Sequence, residues 1–438
     1  MKNSFNRRQF LQRTSLGAAG LWLAGSRAAS AEGKPAGTRF LSPNDKLNIG
    51  MVGTANRAGA NLQEVSSQNI VALCDVDEQF LAAASKNYPK ARVYTDFRRL
   101  IDQKDIDAIV IATPDHTHAV ATVAALKSGR HVYCEKPLTH TVSEARLVAE
   151  TAHNLKRVTQ MGNQIHASNN YRRVVELIQS GAIGPVSEVH VWLDGVWETM
   201  KRPAEIIPVP SHLHYDLWLG PAPYRPYHPE YLPFKWRRWW DFGGGTLSDF
   251  GCHHIDLSHW ALKLTHPLTV EAEGPAVDRE CAPPWLIVRY EYPSRGELPP
   301  VKLAWYQGGK RPPQFAQGLL PKWGGAGSLF VGAKGMLLAD YGNHVLLPEK
   351  DFAGFKPPEP IIPNSIGHHN EWIAACKTGG PTTCNFDYAG ALTESVLLGN
   401  VAFRVGKKLE WDAQRLRATN CPEADDYLQH HYRRGWKL

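Results

Sequence analysis

The chain has 438 residues, 43% of them hydrophobic, with 49 Lys and Arg against 42 Asp and Glu and a formal net charge of +7. Five of those positive charges (Lys2, Arg7, Arg8, Arg13 and Arg27) fall in residues 1–31, which hold no acid, so the remainder carries +2. That balance excludes the basic footprint of a nucleic-acid binder, and the length implies two domains with substantial cores. The chain opens with the three parts of an export signal. Asn6-Arg7-Arg8-Gln9-Phe10-Leu11 reads as a twin-arginine motif, Ser15 to Ala24 as an apolar stretch too short to span a bilayer, and Ala29-Ser30-Ala31 as a cleavage site. Such a signal predicts a periplasmic protein exported already folded, with any cofactor on board. Residues 32–46 read as a linker, and no later segment has the length and apolarity of a membrane span. The seven cysteines form no C-x-x-C pair, which argues against a disulfide framework or a zinc site. An oxidising compartment leaves room for one bridge, such as Cys376–Cys384.

From Leu47 the pattern alternates between strand and helix. Apolar strands are predicted at 47–52, 70–74, near Val93, at 108–112 and at 131–134, with helices at 58–65, 78–87, 96–103 and 117–128 between them. Ala108-Ile109-Val110-Ile111-Ala112 is nearly continuous in apolar residues, as a strand buried on both faces of a parallel sheet must be. The fold class is therefore α/β: a Rossmann-type, doubly wound parallel sheet over residues 47–157. The first strand–helix turn is Gly53-Thr54-Ala55-Asn56-Arg57-Ala58, where a dinucleotide fingerprint would carry glycine at three spaced positions. Only Gly53 is present, and Ala55 cannot freely take left-handed torsions. Asp75 lies 22 residues after Gly53 at the end of the second strand, where an acid binds ribose hydroxyls and repels a 2′-phosphate. It favours NAD over NADP. Asp77 reads as a helix N-cap.

Two further loops close strands: Thr113-Pro114-Asp115-His116-Thr117-His118 and Glu135-Lys136-Pro137. A third segment runs Gly243-Gly244-Gly245-Thr246-Leu247-Ser248-Asp249-Phe250-Gly251-Cys252-His253-His254-Ile255-Asp256. Together these resemble the glucose-fructose oxidoreductase / inositol dehydrogenase / MocA (Gfo/Idh/MocA) family, with its T-P-x-x-x-H and E-K-P loops and its G-G-G…D-x-G-x-H-x-x-D segment. The resemblance covers about residues 47 to 405. It implies that Gly53, Ala55, Asn56, Arg57, Asp75, Thr113, Pro114, His118, Glu135 and Lys136 surround NAD, with Pro137 in a cis peptide. It implies catalytic roles for Lys136, Asp249 and His253. Asp249 and His253 stand four apart, on one helix face. Either His253 or His254 could be the functional ring, and the family register favours His253, a natural base near neutral pH.

The second half, 158–405, reads as a substrate domain with an open, mostly antiparallel sheet. Strands are predicted at 186–197, 268–274, 285–292, 300–306, 328–332 and 336–340, and helices at 169–180, 368–378 and 386–405. Asn163, Gln164, His166 and Tyr171 are candidate substrate contacts. Segment 199–241, rich in Pro, His, Tyr and Trp, reads as a lid or pocket wall, with His214, Tyr215 and Trp240 facing a carbohydrate; an aromatic core or dimer contact is the other reading. The histidine pairs 116/118, 212/214 and 368/369 lack visible partners for a metal site, and none is expected. The tail, 406–438, has no periodic pattern and suggests a surface or partner-subunit contact, with a homodimer or homotetramer as the expected assembly.

These features predict an NAD-dependent oxidoreductase acting on a ring hydroxyl or ketone of a sugar, cyclitol or glycoside, at the 3-position by preference, with a tightly held cofactor. Two redox-neutral readings compete, because export leaves the soluble nicotinamide pool behind. One is a glycoside hydrolase that oxidises at C3, eliminates, adds water and reduces, with Tyr215 or His214 as base at C2. The other is a hydride exchange between two sugars. A non-catalytic sugar-binding protein is a further alternative.

Overall fold

The computed structural model describes residues 45–438; the expected signal and most of the linker lie outside the described residues. Strands β1 (Asn48–Val52), β2 (Asn69–Cys74), β3 (Arg92–Tyr94), β4 (Ala108–Ile111), β5 (His131–Glu135) and β6 (Thr159–Gly162) form a parallel sheet in the order β3-β2-β1-β4-β5-β6. All four residues of β4 are buried, as its unbroken apolar run requires. The strand order reverses between β1 and β4, so the carboxyl ends of these strands open the crevice where α/β sheets take ligands. Asp77 caps the helix Glu78–Asn87, accepting from Gln79 N at 2.9 Å and Phe80 N at 3.3 Å.

A second sheet of nine strands follows. Its strands are β7 (Val186–Leu193), β8 (Thr269–Glu273), β9 (Leu286–Tyr292), β10 (Val301–Gln307), β11 (Ala326–Gly332), β12 (Gly335–Ala339), β13 (His344–Leu347), β14 (Leu409–Asp412) and β15 (Arg417–Ala418). Their order is β13-β12-β11-β7-β10-β9-β8-β14-β15, antiparallel except between β7 and β10. β7 ends at Leu193, four residues before Trp197, which leaves the sheet for another task. The tail is not all surface, because β14 and β15 extend this sheet. Among the described residues no helix is long and apolar enough to cross a membrane. All seven cysteines are free and buried, so the envisaged Cys376–Cys384 bridge is not formed.

The helix Val142–Leu155 was not anticipated, although Thr141 and Glu144 form a capping box at its start. It packs against the helix Phe386–Val405, which thus returns to the first sheet. A bidentate pair joins them: Arg146 Nε to Glu394 Oε1 at 2.7 Å and Nη2 to Oε2 at 2.9 Å. Glu394 is fully buried, so removing Arg146 leaves its charge to His266, whose Nδ1 lies 3.2 Å from Oε2. Arg146→Met is expected to cost about 3 to 5 kcal/mol, and the double variant with Glu394→Met to recover most of it. Urea midpoints of the double-mutant cycle test this, and independent losses that simply add would refute the coupling.

Histidine burial gives the fold a pH dependence. Burial holds His116, His131 and His369 down at about 4 and His254, His259 and His368 at about 3, outweighing the backbone carbonyls beside His116 and His368 and the Glu135 carboxylate near His369. Below pH 6.5 the unfolded chain therefore binds more protons than the folded one. Stability is complete above about 6.5 and falls as pH drops toward 4. The thermal midpoint should decline continuously from pH 7 to 5, and a flat midpoint over that range would contradict the buried neutral rings.

Candidate active site

The site begins where β1 ends. Gly53 adopts φ 94°, and a Cβ there would lie 2.6 Å from the Ala112 carbonyl oxygen, so glycine is required. The second left-handed residue of the turn is Asn56, at φ 53°, and not Ala55. Alanine is thus no obstacle at 55. Asparagine is among the side-chain-bearing residues that tolerate positive φ best. The helix Arg57–Glu64 follows with no acid in its first turn, leaving its N-terminus open to an anion. Asp75 Oδ2 accepts from Thr54 N and Oγ1, both at 2.9 Å, and Oδ1 accepts from Asp77 N at 3.0 Å. Burial raises the Asp75 carboxyl against those hydrogen bonds.

Glu135 serves this turn from behind. Its Oε1 accepts from Arg57 Nε at 2.9 Å, Asn61 Nδ2 at 2.9 Å and Gln164 Nε2 at 3.0 Å. His118 also works indirectly: it is buried, with ring nitrogens 2.8 Å from Pro137 O and 2.8 Å from Thr113 O. It clips the two strand-end loops together and does not line the cleft. Lys136–Pro137 is cis, as the family pattern implies.

The reacting end is built on Lys136 and the helix Gly245–Ala261. Lys136 Nζ donates to Asp249 O at 2.6 Å and pairs with Asp249 Oδ1. Asp249 Oδ2 accepts from Trp197 Nε1 at 2.9 Å and lies 3.3 Å from Arg237 Nε. Burial pushes this carboxyl up, but Lys136 and Arg237 outweigh it and hold it below the ordinary value. Asp115, also buried, goes the other way: desolvation raises it well above the usual range despite Arg237. Gly243 makes this packing feasible, since a Cβ there would meet Arg237 Cα at 2.8 Å.

One turn beyond Asp249, half-buried His253 pairs through Nδ1 with Asn163 Oδ1. Asn163 Nδ2 donates to Cys252 O at 3.0 Å, which turns its oxygen toward the ring. The ring proton is therefore on Nδ1, and Nε2 keeps its lone pair. Burial, then Lys136 and His254, holds His253 well below 6.5. His254 is the packed partner, with Nε2 2.9 Å from Tyr341 OH and the two rings stacked at 4.8 Å.

A cleft of about 390 Å³ runs from Lys136 and Arg237 past Thr113 and Pro114 to Gly53, Asp75 and Phe97. The segment 199–241 supplies its outer wall through Leu213, Trp218, Tyr227 and Trp236. That wall covers the strand ends, so this insertion is first a cover for the cofactor cleft.

Several expected substrate contacts are elsewhere. His166 is fully buried, with Nδ1 2.9 Å from Asp256 Oδ2 and its ring stacked on Trp260 at 4.1 Å. Tyr171 is buried and donates to His253 O at 3.2 Å, supporting the base from below. Asn163, also buried, holds His253. His214 Nε2 meets Glu78 Oε1 at 2.8 Å, beyond the ribose end. Tyr215 packs within the aromatic cluster, stacked on Trp218 at 5.6 Å. Trp240 is buried, donating to Asp278 O at 3.0 Å. Within the insertion the cause is packing: Tyr215 is buried among the aromatic side chains of 199–241 before it can reach a ligand. Trp197, Arg237, Asp115 and the tail residue Trp436, which also lines the cleft, escaped sequence reasoning. Only Asp115, inside a recognised loop, carried any signal.

This constellation defines a dinucleotide-dependent α/β oxidoreductase site. Residues 47–163 match the profile of the oxidoreductase family, NAD-binding Rossmann fold, and residues 168–298 that of its C-terminal alpha/beta domain. These matches span more than half of the chain, which belongs to the Gfo/Idh/MocA family. Inositol 2-dehydrogenase of Salmonella typhimurium (strain LT2) is 35% identical over 147 residues, 33% of this chain and 43% of that protein. A glycosyl hydrolase family 109 protein of Solibacter usitatus is 31% identical over 197 residues, 42% of this chain and 44% of that one. The chain thus matches less than half the length of these curated relatives. GenD2 from gentamicin A biosynthesis, solved with NAD, aligns at TM-score 0.59 and 19% identity over 86% of this chain and 99% of that one, a likeness of fold.

The residues present fit NAD. The Gly53 turn leaves no room for a Cβ and opens onto a helix N-terminus for the pyrophosphate, and Asp75 stands where the ribose hydroxyls would be held.

The tautomer assignment is testable. His253 should stay neutral to well below pH 6.5, whereas Asn163→Asp sets a carboxylate against its ring and should raise its pKa by about 1 to 3 units. Ring NMR titration measures both, and an unmoved His253 in the variant would contradict the contact.

Proposed function

We propose that this protein is an NAD-dependent oxidoreductase acting on a ring carbon of a sugar, cyclitol or glycoside, exported folded to the periplasm with its cofactor enclosed. The observation that carries this reading is Lys136 at the end of the strand-end cleft, paired behind it with Asp249, which has His253 one helical turn away. NAD held beside Lys136 would supply the hydride acceptor needed for a substrate hydroxyl to become a ketone, or the hydride donor for the reverse. His253 Nε2 receives the hydroxyl proton. Lys136 stabilises the developing oxyanion, and Asp249 orients Lys136. Asp75 favours NAD, because a 2′-phosphate would meet its carboxylate.

A redox-neutral glycosidase is the second reading, favoured by the likeness to glycosyl hydrolase family 109 proteins. In that cycle oxidation at C3 acidifies the C2 hydrogen, its loss as a proton expels the aglycone from C1, water adds at C1, and reduction at C3 restores the sugar. His214 and Tyr215 stand away from the reacting end, so Lys136 or His253 would have to take the C2 proton.

Against a panel of sugars and cyclitols, Lys136→Ala and His253→Ala should each lower reduction of the cofactor by at least about 100-fold, read by nicotinamide absorbance. Retained turnover in both would sink the proposal. Aryl glycosides in heavy water separate the two readings: cleavage with deuterium at C2 supports the glycosidase, and ketone formation without cleavage supports the oxidoreductase.

A further inference from the structure

The cofactor cleft does not end at Asp75. It continues past Asp96 and Phe97 to Trp436, in the C-terminal tail. Trp436 is half-buried, and its position is fixed by named contacts. Its ring lies 5.9 Å from that of Phe97, inclined at 38°. The Arg98 guanidinium sits 4.6 Å over the indole and is itself held by Asp96, Nη2 to Oδ2 at 2.7 Å. Arg433 anchors the approach. Its Nη1 pairs with Asp216, Nη2 donates to Asp216 O at 2.7 Å, Nε donates to Gly220 O at 3.1 Å, and its main-chain N donates to Pro221 O at 3.1 Å. Tyr432 donates to Glu144, and His430 Nε2 lies 2.5 Å from His140 Nδ1. The end of the chain is thus bound at once to the aromatic insertion and to the helix Val142–Leu155.

These contacts hold segment 430–436 in place and carry Trp436 to the lining of the cleft. An indole offers a wide, rigid π-face to a base and costs little entropy to hold, because the tail is already tethered. Asp75 marks the ribose end of the cleft, so the ring system arriving beside Trp436 is the purine.

We propose that Trp436 is a purine-binding residue, and that segment 430–436 with insertion 199–241 forms one cover that retains the dinucleotide. This rests on the NAD reading above. Base stacking contributes about 1 to 3 kcal/mol per base, so the indole slows cofactor loss without touching the reacting carbon. Arg433 acts only as a positioning residue.

The test uses the full-length protein stripped of nucleotide and titrated calorimetrically with NAD and with ADP-ribose, which lacks the nicotinamide. Trp436→Ala should weaken both ligands by roughly 5- to 100-fold, and Trp436→Phe should restore most of the affinity. Arg433→Ala should move both in the same direction. If Trp436→Ala fails to fold, as judged by its circular dichroism, Trp436→Leu takes its place with the same expected direction. Wild-type affinity for ADP-ribose in the alanine or leucine variant overturns the purine contact while the NAD reading stands. A wild-type protein that binds neither ligand overturns the NAD reading itself.

Discussion

The arrangement at the reacting end depends on one carboxylate. Asp249 gives one oxygen to Lys136, from the loop after β5, and the other to Trp197 and Arg237, from the exit of β7 and from the insertion. Three separate stretches of chain are therefore registered against a single side chain of the helix Gly245–Ala261. Burying two charges costs several kcal/mol each, and here that cost is offset only because both oxygens are taken and the charges are paired. The same carboxylate fixes the rotation of the helix Gly245–Ala261, which places His253 one turn on, against Asn163. A loss at Asp249 would disturb Lys136, the insertion and the base together.

The nucleotide end follows a different logic. The turn after β1 lacks two glycines of the usual fingerprint, which argues on its face against close approach by a pyrophosphate. The backbone resolves this by placing its second positive φ at Asn56. Glu135 then collects three donors and fixes the start of the helix relative to β5. The dinucleotide turn and Lys136 are thereby coupled through the adjacent residue Glu135.

The first sheet was almost wholly legible, because parallel strands buried on both faces must be apolar throughout and their helices must be periodic. Strand ends were legible for the same reason, which brought Asp75, Lys136 and the 113–118 loop to one crevice. The helix Val142–Leu155 was missed despite its Thr141–Glu144 capping box, a signal available in the residues. β13, β14 and β15 were missed because each is too short to show a period. Trp197 and Arg237 were out of reach for another reason. Their roles come from a carboxylate 52 and 12 residues away in the chain, and local pattern holds no record of that.

The insertion is where composition misled most. Aromatic rings beside Arg, Asp and His suit a sugar, but they suit one another first. Trp218, Tyr231, Trp239 and Phe242 form their own small core, stabilised by edge-to-face contacts at 4.8 to 5.8 Å. A segment with its own core is rigid enough to act as a wall, and this one stands over the strand ends. The tail then ties onto it through Arg433. A cleft roofed by two mutually bonded segments suits a nucleotide that stays through many turnovers better than one exchanged at each. Under the export proposed above, a hydride would have to be returned to the substrate or passed on, and such a roof would keep the dinucleotide that carries it.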